Sequence, residues 1–95
     1  DARALRLAAS LRKLGARPGR HVGLLLPNIP EYLVALQAVW LTGATALQLS
    51  PLMVAEEAAQ WLEATGCSVA VTLDLLAPVL LPSMERGPLE HVVVA

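Results

Sequence analysis

The ten residues Val22-Gly23-Leu24-Leu25-Leu26-Pro27-Asn28-Ile29-Pro30-Glu31 constrain the fold more than any other stretch of this chain. Val22 to Leu26 is an apolar run of strand length, suited to a strand covered on both faces. Pro27 has no N–H to give to a ladder, so the strand must stop there. Asn28 is expected to cap a following helix, with Glu31 three residues on completing a capping box. Pro30 falls in the first turn of that helix, where a missing N–H costs nothing. The chain therefore passes from a buried strand through a sharp turn directly into a helix.

The remainder repeats this unit. Ala4, Leu7, Ala8, Leu11 and Leu14 recur at helical spacing, with Arg3, Arg6, Ser10 and Lys13 opposite, giving an amphipathic helix of about four turns. Gly15 suits its end, and Pro18-Gly19 suits the centre of a type II turn. A second helix, from about Ile29 to Thr42, is apolar nearly all round and is expected to be buried on most sides. Gly43 ends it, and a strand from about Thr45 to Leu49 stops at Ser50-Pro51. A third helix spans about Ala55 to Thr65, with Glu56 and Glu57 favourably placed in its first turn and Ala58, Trp61, Leu62 and Thr65 facing inward. Gly66 ends it before a strand over Ser68 to Thr72. Asp74 is expected to cap a short fourth helix that Pro82 limits, Gly87-Pro88 to turn, and His91 to Val94 to begin a fourth strand. Strands alternating with helical crossovers imply an α/β fold: a parallel sheet of about four strands in a three-layer, flavodoxin- or Rossmann-like arrangement.

Composition argues that this is a slice of a larger domain. Apolar residues make up 56% of the 95 and charged residues only 16%, against roughly 25% charged in typical globular proteins. A small domain has much surface per volume and should need more charge, not less. Asp1 is not an initiator methionine, and Val92-Val93-Val94-Ala95 reads as strand interior. Residues 1–95 are thus expected to form part of one domain, with no internal boundary. Cut from its surroundings, such a slice should be sticky, with exposed sheet edges.

The net charge of -1 gives no bulk attraction to nucleic acid or to an acidic membrane. The basic residues Arg3, Arg6, Arg12, Lys13, Arg17 and Arg20 cluster before position 21 and read as a solvated face. Only three aromatic residues are present, too few for a base-stacking platform. Cys67 is the sole cysteine, so no internal disulfide can form, which fits a reducing compartment. No segment is a clean apolar run of roughly 18 residues, so no transmembrane segment is expected.

Ligands of open parallel sheets bind beyond the carboxyl ends of the strands. Those ends are Leu26-Pro27-Asn28, Leu49-Ser50-Pro51 and Thr72-Leu73-Asp74. None offers two acids, an acid with a base, or a nucleophile beside a histidine. Asn28 and Asp74 read as helix caps and Ser50 as a turn residue. Gly15, Gly19 and Gly23 fit neither a dinucleotide fingerprint nor a Walker loop. His21 and His91 fall at strand starts, opposite the usual ligand side, and two histidines with one remote cysteine do not make a metal site. Cys67 reads as a small buried hydrophobe, and Trp40 and Trp61 as core. No residue is assigned a catalytic, cofactor-binding or metal-binding role.

Leu14-Gly15, Pro18-Gly19 and Val22 to Asn28 with Glu31 resemble the region near the start of the adenylate-forming (AMP-binding) enzymes. Gly43-Ala44, Gln48-Leu49-Ser50-Pro51-Leu52, Glu57, Gly66, Val71-Thr72, Pro88-Leu89 and His91-Val92 continue the likeness in register. The segment from Leu73-Asp74-Leu75-Leu76 to Leu81-Pro82 is most similar to long-chain fatty-acid–CoA ligases. The chain departs from the family at Arg20-His21, often Asp-Arg, and at Val54-Ala55, often a threonine-proline pair. The second change removes a helix cap, at a cost of about 1 kcal/mol.

The resemblance implies that the chain is part of a large N-terminal domain, partnered by the rest of that domain and by a C-terminal lid domain. It implies a two-step reaction. ATP and a fatty or other carboxylic acid give an acyl-adenylate and pyrophosphate, with magnesium screening the phosphates. Coenzyme A then displaces AMP to form a thioester. The family's phosphate-binding loop, acids and lid lysine all lie downstream of the matched region, so the fragment is expected to be inactive alone and to bind no cofactor. A cytoplasmic or membrane-peripheral location follows from the same likeness. Two alternatives stand beside this reading: an amino-acid- or other acid-adenylating relative, and a non-enzymatic flavodoxin-like binding module.

Overall fold

A computed structural model describes residues 1–95. Its four strands are β1 (His21–Leu25), β2 (Thr45–Leu49), β3 (Val69–Thr72) and β4 (His91–Val94). They form one parallel sheet in the order β2-β1-β3-β4. The helices are α1 (Ala2–Lys13), α2 (Pro30–Thr42), α3 (Ala55–Thr65) and α4 (Leu81–Arg86), with a 3-10 turn over Ala77–Leu80 before α4. The expected α/β fold is therefore present, with strand bounds within a residue of those read from the sequence.

The side-chain period of two explains why β1 has no polar face. Val22 and Leu24 point to one side of the sheet, where Ala8 and Leu11 of α1 and Ala35, Ala38 and Val39 of α2 cover them. Leu25 points to the other side and packs with Leu62 of α3, Ala70, Leu80 and Leu89. Between them sits Gly23, where an added Cβ would stand 3.3 Å from both the Leu62 side chain and the Ala70 Cβ. The missing side chain there lets α3 seat closely on the sheet.

The turns before β1 follow the sequence reading. Arg20 N–H donates to Arg17 O at 3.0 Å across Pro18-Gly19, with Gly19 at φ 88°. Gly43 and Gly66 end α2 and α3 in the left-handed conformation.

Several expectations are corrected. Asn28 does not cap α2. Pro30 occupies the first turn and forces the residue before it to be extended, so Ile29 (φ −126°, ψ 166°) becomes the N-cap and offers no side-chain acceptor. The Ile29 N–H instead donates to Pro27 O at 2.8 Å, a tight turn that leaves Asn28 exposed at its tip, and the capping box with Glu31 does not form. Asp74 is exposed and caps nothing; the 3-10 turn begins from Leu76 without a side-chain bond. Pro82 does not end the fourth helical segment but lies in the first turn of α4, where its missing N–H is harmless. Gly87-Pro88 is a bend with Gly87 extended, not a hydrogen-bonded turn. Helix α1 has twelve residues, nearer three turns than four.

The largest correction concerns the tryptophans. Trp40 is 65% exposed and Trp61 52% exposed, and Leu33 on α2 is 68% exposed. Neither tryptophan is core within these residues. Helix α2 buries Ala35, Ala38, Val39 and Thr42 against the sheet and α1, and its other face meets no further layer here. Thr65, expected inward, is half-buried, and its hydroxyl donates back to Trp61 O and Leu62 O.

Candidate functional site at the carboxyl edge of the sheet

The chain leaves β1 toward β2 on one side and reaches β3 on the other, so the topological switch lies between the ends of β1 and β3. All three strand-end segments singled out from the sequence lie along this edge. At the switch itself the buried Thr72 hydroxyl donates to Leu25 O at 2.8 Å. That bond ties the two strand ends together and commits the Thr72 hydroxyl proton to the Leu25 carbonyl. Ser50 holds the turn after β2: its Oγ accepts the Leu52 N–H at 3.2 Å, and its carbonyl accepts the Met53 N–H at 3.0 Å. This is the turn role expected from Ser50-Pro51.

A recess of about 540 Å³ opens beside the switch, between the ends of β1 and β2. Leu26, Asn28, Tyr32, Gln48, Leu49, Ser50 and Pro51 line it. Tyr32 and Gln48 were not visible as site residues in the sequence. Tyr32 reaches the recess because the tight Pro27–Ile29 turn starts α2 immediately after the strand. Gln48 reaches it because β2 is an outer strand in this sheet, so a polar side chain near its end stays exposed.

The donor set of the recess does not fit a nucleoside triphosphate or its magnesium. A triphosphate wants cations and a cradle of backbone N–H groups, and magnesium wants carboxylates. The recess carries amides and hydroxyls but neither an acid nor a base. No group of three or more His, Cys, Asp and Glu side chains converges anywhere in the structure. The histidines lie at the opposite edge: His21 pairs with Thr45 and His91 with Val69 in the first rungs of their ladders. Cys67 is fully buried, its Sγ 3.1 Å from Val69 O and 3.4 Å from His21 O. Burial pushes its thiol above the ordinary value, partly opposed by the Val69 backbone contact. A thiol held neutral is a poor nucleophile. The recess at the carboxyl edge can thus orient a neighbouring group through the polar side chains of Asn28, Tyr32 and Gln48.

By its fold, the molecule is a doubly wound parallel α/β layer. By its sequence it belongs to a definite family: the model of AMP-binding enzymes matches residues 1–95, and the chain is a member of that family. It is 37% identical over 75 residues to a long-chain-fatty-acid–CoA ligase of Bacillus subtilis, covering 79% of this chain and 13% of that protein. It is 36% identical over 91 residues to 4-coumarate–CoA ligase 1 of Oryza sativa subsp. japonica, covering 94% and 16%. Among solved structures, a long-chain-fatty-acid-CoA ligase from Archaeoglobus fulgidus superposes with a TM-score of 0.89 at 27% identity, over 98% of this chain and 19% of that one. The anthranilate CoA ligase AuaEII, solved with anthranoyl-AMP, superposes with a TM-score of 0.90 at 26% identity, over 98% and 18%. The chain therefore spans less than a fifth of the length of these relatives. The likeness to adenylate-forming enzymes drawn from its motifs holds at the level of the family. No helix is long and apolar enough to cross a membrane.

Proposed function

We propose that these 95 residues form scaffold within the large N-terminal domain of an AMP-forming acid–CoA ligase, with a long-chain fatty acid as its acid. The observation that carries this reading is the match along nearly the whole chain, in sequence and in fold, to fatty-acid–CoA ligases. The whole enzyme would use ATP, magnesium and coenzyme A, bound by residues outside this segment and closed over by a C-terminal lid domain. The role of the segment is mechanical. Its parallel sheet holds the carboxyl edge rigid, and the Thr72–Leu25 bond fixes the two strand ends at the switch point. No catalytic, cofactor-binding or metal-binding role is assigned to any of its residues.

A second reading keeps the reaction and changes the acid. Relatives of comparable similarity are 4-coumarate–CoA ligases, and AuaEII is an anthranilate ligase. An aromatic acid is therefore the alternative substrate. ATP–pyrophosphate exchange by the parent polypeptide, with palmitate, 4-coumarate and anthranilate in turn, separates the two. Exchange driven by palmitate supports the fatty-acid reading, and exchange driven only by an aromatic acid replaces it. The 95-residue chain alone is expected to show no exchange with any of them. Exchange by the purified chain, lost when the chain is removed, would overturn the scaffold role.

A further inference from the structure

The two signs of charge are segregated in this fold. Residues 1–21 hold six of the seven cations and one of the eight acids, and residues 22–95 hold one cation and seven acids, so a net charge of -1 conceals parts of +5 and -6. A soluble surface ordinarily intersperses the two signs. Arg3, Arg6, Arg12, Lys13, Arg17 and Arg20 are all exposed, on α1 and on the turn that leads into β1. Arg3 pairs with Asp1 at 3.7 Å, and the other five meet no carboxylate within 4 Å. Glu56, Glu57 and Glu63 are exposed on α3, and Arg86, the one cation on α3 or α4, pairs with none of them. Helix α1 packs on one side of the sheet with Val22 and Leu24, and α3 on the other with Leu25. The basic and acidic surfaces therefore face away from each other and cannot neutralise one another within one molecule. The acidic face also carries Trp61, 52% exposed and one helical turn after Glu57. A planar guanidinium can stack on an indole while it pairs with a carboxylate alongside.

We infer that a second copy of this chain docks its basic α1 surface on the Glu57–Trp61–Glu63 face of α3. Charge complementarity selects that partner: the two surfaces are opposite in sign, similar in net charge and both free in the same molecule, whereas a foreign partner would account for only one of them. A lipid surface is disfavoured because α1 spends its apolar stripe of Ala4, Ala8 and Leu11 on the core, leaving Leu5 as its one exposed large apolar residue. A nucleic acid is disfavoured because α1 and the turn after it carry no aromatic residue. The two surfaces differ, so the contact is heterologous. Each pair of copies keeps one free basic and one free acidic face, and the assembly grows with concentration rather than closing as a dimer. Such a contact needs no assumption about the reaction the parent polypeptide catalyses.

The test is sedimentation velocity of the parent polypeptide at about 50 mM and about 500 mM NaCl. Self-association is expected at the lower salt, with a dissociation constant on the order of 10-fold higher at the upper. Arg6→Glu with Lys13→Glu, and separately Glu57→Lys with Glu63→Lys, are each expected to weaken it on the order of 100-fold. Mixing the two variants is expected to restore association, because the exchanged charges match again, and a misfolded variant could not be rescued in this way. Association that holds or tightens at high salt overturns the inference, since an apolar contact behaves so. So do variants that associate as the parent does, or a mixture no more associated than its parts. A parent that stays monomeric at the lower salt also overturns it, including one whose basic face is taken instead by phosphatidylglycerol vesicles or by duplex DNA.

Discussion

Gly43 shows how much one residue decides in this fold. It ends α2 at φ 80°, and an added Cβ would lie 2.8 Å from the Pro18 ring. The position thus needs glycine twice, for the backbone and for the close approach of the 18–19 turn. Gly66 ends α3 at φ 63° with open space around it. Gly43→Ala is expected to lower stability by about 2–3 kcal/mol, from left-handed strain together with overpacking. Gly66→Ala should cost only the strain, about 1 kcal/mol. Urea midpoints of the two variants give the comparison, and equal losses would show that the Pro18 contact yields freely. Both glycines were legible in the sequence as helix ends. The Pro18 contact was not, because it joins residues 25 apart through the tertiary fold.

At the scale of elements, capping separates what pattern reveals from what it misses. The Val54 position was read as a lost cap, and Val54 does stand as the α3 N-cap with an extended backbone and no side-chain acceptor. Val54→Thr should therefore raise stability by about 1 kcal/mol, seen as a higher urea midpoint with an unchanged slope. No gain would mean that the hydroxyl cannot reach the second or third helical N–H. The Asn28 reading failed for a local reason that sequence does contain. Proline at the first helical position makes its predecessor the N-cap, so Pro30 overrides the capping-box spacing. Asp74 failed because the first turn after β3 is 3-10 in character and begins from Leu76. At the other end of the molecule, the Arg12–Leu41 bond ties α1 to α2 across 29 residues, and nothing in the Arg12 neighbourhood of the sequence points to it.

For the whole molecule, the governing fact is one sheet with helices on both sides and too much apolar surface left over. Leu33, Trp40 and Trp61 are exposed on two different helices, and β2 and β4 are both open edges. The isolated chain is expected to associate as its concentration rises, read by sedimentation velocity. A monodisperse monomer that unfolds cooperatively would contradict that.

The order of strands and helices, the parallel sheet and the family were all determined by sequence alone. They rest on local periods and punctuation, such as the Val22–Leu26 run, Pro27 and the closing glycines, which act within a few residues of where they stand. Low charge likewise marked the excess of apolar surface. Only the tertiary structure decided which side of each helix carries that excess. Periodicity showed α2 apolar all round, but packing chose Ala35, Ala38 and Val39 for the sheet and left Leu33 and Trp40 outside. It also decided that Tyr32 and Gln48, far apart in sequence, share one recess. Such pairings depend on how strands stack across the sheet, which no local spacing encodes.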